Sequence, residues 1–469
     1  MLKEKGENSM KKGVFLILLA LLMAAGCSIV PESAEAEPQA LSITVTATPA
    51  SVRSKPAIVV GVRNEASAIG WDGYAFTVEN GRVVLYSAGA ELKELADRRC
   101  EGSGSKAPME LRVDIEGTVI RCYVLDDAPG VEPWPEIELN IELPAAYKVE
   151  CLDLAGKDAK FENLQLTHYT PKTYENTYIN PVYDSLADPD VVYEDGTFYL
   201  YGTGSTMGYG VHTSTDLVNW GRRGTAVYGT LWGITRNYWA PDLEYVDGKW
   251  WMAVSCDQKL GFATSEDLMG PFTEIGETPG FGRAIDGHIF IDDDGRRYFY
   301  YVNWDTVYGI YGVELDENME PIEGTTKLLI YPTEDWETGD NITEGPFMLK
   351  HNGLYYLTYS GNGYEHVRYA VGYAVSESPL GPFEKYEHNP ILVGNSQIHG
   401  VGHHCCVTIP ETGEIWMVYH CHNSLTEVQQ RKICIDRMRF SPVEGDIDRL
   451  EVYGPTVTPQ PYPDLGINE

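Results

Sequence analysis

The stretch that decides the fold is ADPDVVYEDGTFYLYGTGS, residues 187–205. An acidic cluster, a β-branched run, an Asp-Gly turn at Asp195 and Gly196, and an aromatic run together predict a β-hairpin. The pattern recurs downstream as WAPDLEYVDGKWWMAVS, IDGHIFIDDDGRRYFYYVN, TEGPFMLKHNGLYYLTYS and GHHCCVTIPETGEIWMVYH. The turn glycines, roughly 50 residues apart, are Gly196, Gly248, Gly295, Gly353 and Gly413. Five copies of one hairpin at this spacing predict a five-bladed β-propeller.

The strands after these turns are apolar on both faces: TFYLYGT, KWWMAVS, RRYFYYV, LYYLTYS and EIWMVYH. A strand packed between two neighbouring blades has no solvent face, so loss of alternation is expected there. An ordinary β-sandwich with aromatic strands is the alternative, but a sandwich does not require five copies in register. We therefore expect an all-β chain with a propeller at residues 183–455.

The N-terminus resembles a bacterial lipoprotein signal. Lys11 and Lys12 precede a short apolar run at residues 14–23, and Ala-Ala-Gly stands directly before Cys27. Residues 1–27 are expected to be the signal peptide, with Cys27 lipidated and residues 28–40 forming a tether. The mature protein would then lie outside the cell, anchored to the membrane. An ordinary cleaved signal peptide is the alternative.

Residues 41–170 read as short strands and turns without the acidic repeat. They predict a β-sandwich of the concanavalin-like or carbohydrate-binding kind, which either binds glycans through exposed aromatics such as Trp71 and Trp134 or only packs. Residues 171–182 are expected to be a linker, and residues 456–469 a C-terminal tail.

The charge balance limits the partners. With 35 Lys and Arg against 69 Asp and Glu, the formal net charge is −34, which argues against nucleic acid and anionic membrane surfaces as partners. A neutral polymer is more compatible, and we expect a monomer. The cysteines after Cys27 lack the regular spacing of metal sites and mostly lie in strand-like runs, so we expect buried free thiols.

Chemistry emerges when the repeats are aligned on their turn glycines. Asp188, Asp286, Glu344 and His403 each lie about eight to ten residues before a turn glycine, and Ala240 holds this place in the second copy. Innermost strands of all blades run along one axis, so these side chains are expected to converge. Clustered carboxylates push their pKa values apart, which is what a division into acid and base requires.

The ordered motifs resemble glycoside hydrolase family 43. They are DPD with Asp188, WAPD with Trp239, IDGHIF with Asp286, TEGPF with Glu344 and GVGH with His403, and they span roughly residues 180–450. This resemblance implies an inverting exo- or endo-enzyme acting on arabinan, arabinoxylan or xylan, of the α-L-arabinofuranosidase, β-xylosidase or endo-arabinanase class. We expect it to release arabinofuranosyl or xylosyl units. It makes Asp188 the general base, Glu344 the general acid and Asp286 the carboxylate that tunes the acid, and it places His403 near a calcium or sodium ion.

Further residues are candidates for substrate contact. Trp239, Tyr238 and Trp232 could stack on sugars or pack within blades, and Arg431 could bind hydroxyls or form an ion pair. Two other functions stay open: a retaining fructan-type propeller enzyme, whose expected Arg-Asp-Pro motif is replaced here by Ile285-Asp286-Gly287, and a surface lipoprotein that only binds glycans.

Overall fold

The chain divides into two compact units, Met1–Glu175 and Asn176–Glu469, in a computed structural model. The structure describes residues 28–29, 40–49, 56–63, 71–79, 82–88, 92–99, 109–116, 119–125, 135–142, 151–155, 159–169 and 176–466, the last range without 204–207, 278–280, 396, 444 and 458. The regular elements of this described part are β-strands, and no helix in it could cross a lipid bilayer. Cys27 and Trp134 lie outside the described residues, so the predictions for the signal peptide and for Trp134 are not addressed.

The N-terminal unit contains two antiparallel sheets. Its strands are β1 (Ser28–Ile29), β2 (Ala40–Pro49), β3 (Ala57–Arg63), β4 (Trp71–Glu79), β5 (Arg82–Ala88), β6 (Leu92–Arg99), β7 (Met109–Glu116), β8 (Val119–Leu125), β9 (Pro135–Glu142), β10 (Cys151–Ala155) and β11 (Ala159–Tyr169). One sheet has the order β1-β10-β3-β4-β5-β6 and the other β11-β2-β7-β8-β9. Buried residues of both sheets, such as Phe76 and Leu111, share one hydrophobic core, which is the arrangement of a sandwich.

The second unit contains the repeats. Its strands are β12 (Thr177–Tyr178), β13 (Tyr183–Asp184), β14 (Asp190–Glu194), β15 (Thr197–Tyr201), β16 (Gly210–Ser214), β17 (Gly221–Thr225), β18 (Tyr238–Val246), β19 (Lys249–Cys256), β20 (Lys259–Ser265), β21 (Thr273–Glu274), β22 (Ala284–Ile291), β23 (Arg297–Asn303), β24 (Gly309–Leu315), β25 (Lys327–Ile330), β26 (Thr343–His351), β27 (Leu354–Gly361), β28 (Ala370–Ser376), β29 (Glu384–Lys385), β30 (Leu392–Val393), β31 (Gly402–Thr408), β32 (Ile415–Cys421), β33 (Lys432–Ser441), β34 (Arg449–Val452) and β35 (Gln460–Pro461).

These strands form the five predicted blades. The sheets β14 to β17, β18 to β21 and β22 to β25 are blades 1 to 3, β26 to β30 form blade 4, and β31 to β34 form blade 5. In each blade the first two strands are the hairpin around a predicted turn glycine. Those five glycines all have positive φ, between 74° and 85°, a backbone conformation that favours glycine. The prediction of a five-bladed propeller is confirmed.

Hydrophobic cores fill the spaces between neighbouring blades. The second strand of a blade contributes side chains to two of these cores. In β27, Tyr356 packs in the core shared with blade 5, whereas Leu357 packs in the core shared with blade 3. Such strands are covered on both sides, which explains their apolar runs.

The ring is closed by pairing across the chain. Strand β13 precedes blade 1 in sequence but pairs with β33 of blade 5, so both ends of the repeat array contribute to one sheet. Strands β12 and β35 pair with each other. Residues 177–178, expected to lie in a linker, and residues 460–461, expected to lie in a tail, therefore form regular structure.

Candidate active site

The first strand of each blade is its innermost strand, and an irregular backbone conformation stands at its beginning. We call the residue in this conformation the step. The step residue has positive φ in all five blades: Asp188 at 48°, Ala240 at 37°, Asp286 at 56°, Gly345 at 56° and His403 at 44°. Pairing with the second strand shifts register across the step in blades 2 to 5. Non-glycine residues in this region cost about 1–3 kcal/mol each and cluster at functional sites.

The position of the step in blade 4 corrects the alignment of the five repeats that was made from the sequence. Counting from turn glycines placed Glu344 in register with Asp188 and Asp286, but in blade 4 the equivalent residue is Gly345. Glu344 lies one position earlier, where Trp239 lies in blade 2. The count failed because the hairpins differ in length between step and turn. A side chain at Gly345 would bring Cβ within 3.3 Å of the His403 ring, so glycine permits this close approach.

Hydrogen bonds between blades hold the steps in place. The N–H of Ala240 donates to Thr203 Oγ1 at 3.1 Å, that of Asp286 to Ser255 Oγ at 3.0 Å, that of His403 to Ser360 Oγ at 2.8 Å and that of Gly345 to Asp286 Oδ2 at 3.2 Å. Each acceptor belongs to the preceding blade. The ring of blades thereby fixes the backbone that carries the acidic side chains.

Asp188 lies in a cationic and imidazole environment. Arg431 approaches it with both guanidinium nitrogens, Nη1 to Oδ1 at 2.7 Å and Nη2 to Oδ2 at 3.2 Å. Nδ1 of His420 lies 3.1 Å from Oδ1 and Nδ1 of His403 lies 3.4 Å from it, while Thr203 donates its hydroxyl to Oδ2. Burial alone would raise the pKa of Asp188, but Arg431 and then the two histidines outweigh it and hold that pKa well below its usual value. Asp188 is therefore a carboxylate.

Glu344 has the opposite tendency. Burial raises its pKa to about 7, although the hydroxyl of Tyr369 donates to Oε1 at 2.8 Å and favours the ionised form. Asp286 is also buried, and burial followed by the charge of Glu344 raises its pKa well above the usual value. Two buried acids that oppose each other's ionisation retain a proton near neutral pH. The site thus combines the ionised carboxylate of Asp188 with two acids, Glu344 and Asp286, that together retain a proton.

The predicted substrate residues separate into groups. Tyr238 is buried, and its hydroxyl accepts from Leu231 N–H at 2.9 Å and donates to Ile234 O at 2.8 Å, so it holds a loop rather than a sugar. Trp232 donates Nε1–H to Gly276 O at 3.0 Å, and its ring covers Gly261. The contacts of Tyr238 therefore support its packing alternative, whereas Trp232 is half-buried and its contact with substrate stays a prediction.

Trp239 and Arg431 remain candidates. Trp239 is half-buried at the position that matches Glu344 in its blade. Arg431 uses two nitrogens on Asp188, yet its buried Nε has no hydrogen-bond partner among the described residues. One donor of this guanidinium is therefore unused.

The second acid of the DPD and APD motifs has a structural role. Asp190 accepts the N–H of Leu243 in blade 2 at 2.9 Å, and Asp242 accepts the N–H of Ile289 in blade 3 at 2.8 Å. Both line a central pocket that also contacts Asp286 and His403. These carboxylates link the innermost strands of neighbouring blades.

His403 does not lie in a ready metal site. Within the described residues, no three His, Cys, Asp or Glu side chains are grouped to hold a metal ion. His403 is half-buried beside Asp188, and burial lowers its pKa. The protein groups present do not fit a calcium ion coordinated directly by side chains, because calcium takes six to eight oxygen ligands.

Sequence reasoning missed Tyr369, His420 and the hydroxyls that accept the step N–H groups. A signal existed for three of these acceptors. Ser255, Ser360 and His420 end the aromatic runs WMAVS, LTYS and MVYH, where the second strand returns to the end of the blade that carries the step. Tyr369 follows a loop and carries no such mark. Cys256, Cys405, Cys406, Cys421 and Cys434 are free thiols, as predicted for these positions.

Known proteins with related sequences are glycosidases. A curated β-D-galactofuranosidase, xynD from Aspergillus niger, is 30% identical over 291 residues, which cover 56% of this chain and 82% of that protein. A xylan 1,3-β-xylosidase from a Vibrio species is 30% identical over 276 residues, covering 52% of this chain and 50% of that protein.

Solved structures agree with the fold. A structure described as an endo-1,4-β-xylanase from Bacteroides thetaiotaomicron aligns with a TM-score of 0.55 and 32% identity, covering 61% of this chain and 99% of that one. A thermostable family-43 glycoside hydrolase aligns with a TM-score of 0.55 and 36% identity over the same shares. Residues 178–443 match the family described as Glycosyl hydrolases family 43. This match spans all five positive-φ steps, from Asp188 to His403, and the chain belongs to glycosyl hydrolase family 43.

Proposed function

We propose that the protein is an inverting glycosidase that releases arabinofuranosyl or xylosyl units from plant cell-wall polysaccharides. The observation that carries this proposal is the contrast between Asp188, held ionised by Arg431, and Glu344, whose pKa is raised to about 7 by burial. Inversion needs one carboxylate and one protonated carboxyl on opposite faces of the glycosidic bond. The site supplies both states near neutral pH.

Asp188 acts as general base. Its carboxylate takes a proton from a water molecule, and that water attacks the anomeric carbon from the face opposite the leaving group. Glu344 donates its proton to the glycosidic oxygen as the carbon–oxygen bond breaks. The products are a free sugar of inverted configuration and an alcohol, leaving Asp188 protonated and Glu344 ionised until they exchange protons with solvent.

Asp286 assists by holding the acid in place. Its Oδ2 accepts the N–H of Gly345, the residue that follows Glu344. Its carboxylate also disfavours ionisation of Glu344, since like charges in a buried site raise each other's pKa. Asp286 therefore tunes Glu344 without contacting the leaving oxygen.

The sugar is tested by product analysis. Purified protein is incubated with arabinan, arabinoxylan, xylan and a galactofuranose-containing glycan, the last because one relative is named as a galactofuranosidase, and released sugars are separated. Arabinose or xylose is the expected product. Release of galactose alone would show that the released sugar is galactose and not arabinose or xylose. If no sugar is released from any polymer or aryl glycoside, the proposed glycosidase activity is contradicted.

A cation near His403 is proposed only as a water-held ion. The support is the place of the His403 imidazole beside the Asp188 carboxylate, with Nδ1 3.4 Å from Oδ1. Thorough chelation and His403→Ala should each lower turnover. If both leave turnover unchanged, His403 has a packing role.

Membrane attachment through Cys27 is proposed from the signal-like N-terminus. Cells expressing wild type or Cys27→Ala are fractionated, and only the wild type should remain with membranes. Equal release of both proteins into the medium would contradict the anchor.

A further inference from the structure

Tyr308 lies at the catalytic end of blade 3. It ends the short connection 304–308 between β23 and β24, and the flanking Asn303 pairs with Ala284 on one side and Gly309 on the other. Ala284 begins the strand that carries Asp286. The connection therefore lies at the same end of the propeller as the acid pair, Glu344 and Asp286. The sequence alone gave Tyr308 no role.

The ring of Tyr308 is held firmly. It stacks on Trp304 with centroids 5.8 Å apart and an interplanar angle of 15°, and it packs against the core shared by blades 3 and 4. Arg283 lies over the other ring of this pair, 6.0 Å from the Trp304 centroid, and is fixed by an Arg283 Nε to Asp305 Oδ1 contact of 2.8 Å. A ring ordered in this way can present its hydroxyl at little further entropic cost.

The hydroxyl of Tyr308 is uncommitted. It makes no hydrogen bond to any residue that the structure describes, whereas three tyrosines of blade 4 each donate to a carboxylate: Tyr355 to Asp292 at 2.6 Å, Tyr359 to Glu337 at 2.6 Å and Tyr369 to Glu344 at 2.8 Å. A half-buried hydroxyl without a protein partner can donate to and accept from a ligand. Burial, and then the charges of Glu344 and Asp286, raise the pKa of Tyr308, so its proton stays in place.

The packing of Tyr308 indicates which side of the substrate it faces. Tyr308 packs against the core between blade 3, which carries Asp286, and blade 4, which carries Glu344, and the charges of these two acids also raise its pKa. The general acid must lie beside the oxygen that leaves, and the base lies across the sugar ring. A hydroxyl next to the acid pair is therefore placed for the departing part of the substrate.

We propose that Tyr308 determines specificity on the leaving-group side, by hydrogen-bonding a hydroxyl of the sugar that departs from the oxygen protonated by Glu344. This inference rests on the proposed function. It predicts a preference for sugar leaving groups over hydroxyl-free ones that depends on the phenolic oxygen alone.

The test compares Tyr308→Phe with wild type on two substrates that share the released sugar. One is the disaccharide, and the other is its nitrophenyl glycoside, whose leaving group has no hydroxyl. Loss of one neutral hydrogen bond should lower kcat/KM for the disaccharide by about 2- to 10-fold and leave the nitrophenyl glycoside unchanged. Tyr245→Phe is the matched control, since Tyr245 is exposed at the opposite end of a blade.

The outcomes separate this inference from the proposed function. Wild type inactive on both substrates would contradict the glycosidase proposal. Wild type active on both, with Tyr308→Phe losing neither or losing both equally, would contradict a leaving-group contact. A Tyr308→Phe shift in the alkaline limb of the nitrophenyl pH profile would also overturn it, since the residue would then act through Glu344.

Discussion

The guanidinium of Arg431 meets the carboxylate of Asp188 with two contacts, at 2.7 and 3.2 Å. Both side chains are nearly inaccessible, so the ion pair is weakly screened by solvent. Arg431 directly precedes β33, the third strand of blade 5, while Asp188 precedes β14 of blade 1. The pair therefore spans the closure of the ring and sets the charge of the proposed base.

Replacement of Arg431 should move the acidic limb of activity. Asp188 must be ionised to accept a proton, and its folded pKa is held low chiefly by Arg431. Arg431→Lys keeps a charge but loses the planar fork, so the acidic limb of kcat/KM should shift upward. Arg431→Met should shift it further, by about one to three pH units in total.

The control for Arg431 lies on the adjoining strand. Arg437 belongs to β33, which begins one residue after Arg431, and contacts Glu414, with Nε to Oε1 at 3.4 Å. Arg437→Met should leave the acidic limb in place. An Arg431→Lys enzyme that is folded and active with an unmoved acidic limb would contradict the assignment of Asp188 as the titrating base.

Tyr369 should control the alkaline limb. Glu344 must be protonated to act as acid, and its pKa of about 7 means that activity falls as pH rises through that value. The Tyr369 hydroxyl favours the ionised form, so Tyr369→Phe should raise the Glu344 pKa and extend activity to higher pH. Tyr356→Phe, which removes a hydroxyl bound to Asp448 O at 2.8 Å, is the control, and a downward shift in Tyr369→Phe would reverse the assigned sign.

Asp286→Asn should make the protein more stable and less active. The folded pKa of Asp286 is raised, so its favourable contribution is present below the unfolded pKa of about 3.9 and is lost as pH rises toward the folded value. Asparagine keeps an oxygen for Gly345 N–H but removes the buried acid. Tm should therefore rise at pH 8 by on the order of 2–4 °C for each kcal/mol recovered, with little change near pH 3.5.

Stability measured at both pH values decides the interpretation. A variant with equal or lower Tm at pH 8 would show that Asp286 is not strained by ionisation in the folded protein. Unchanged kcat would show that it does not tune the acid.

Sequence patterns predicted the propeller because its five hairpins repeat a local signal. Turn glycines, aromatic second strands and acidic steps all lie within about 20 residues of one another, and repeats of this kind are read from spacing. Asp188, Asp286, Glu344 and His403 were found for the same reason, and the structure brings them to one end of the ring.

The contacts that define the site's electrostatics could not be read from sequence. Arg431 meets Asp188 across 243 positions of the chain, and the acceptors of the step N–H groups lie on neighbouring blades. For Tyr238 and Trp232 the sequence left sugar contact and packing open, because aromatic residues serve packing and recognition equally well. Only burial and hydrogen bonding distinguish the two uses.

Glu344→Gln and Asp188→Asn should differ in their dependence on the leaving group. Glu344→Gln should lose activity on natural glycosides, whose alkoxide needs a proton, but keep much of it on an activated aryl glycoside. Asp188→Asn should lose both, because water attack is needed whatever leaves. Each loss is expected to be about 10²–10⁴-fold, measured as kcat/KM on the two substrates. The same leaving-group dependence in both variants would contradict the division into acid and base.

The anomeric configuration of the first product tests the mechanism as a whole. Proton NMR of a rapidly hydrolysed aryl glycoside should show the inverted anomer first, followed by slow mutarotation to equilibrium. Inversion follows from a single attack by water held at Asp188, whereas retention requires a carboxylate nucleophile and a covalent sugar intermediate, with carboxyl groups only about 5–5.5 Å apart. A retained product would assign Asp188 as nucleophile and turn this site into the retaining, fructan-type alternative.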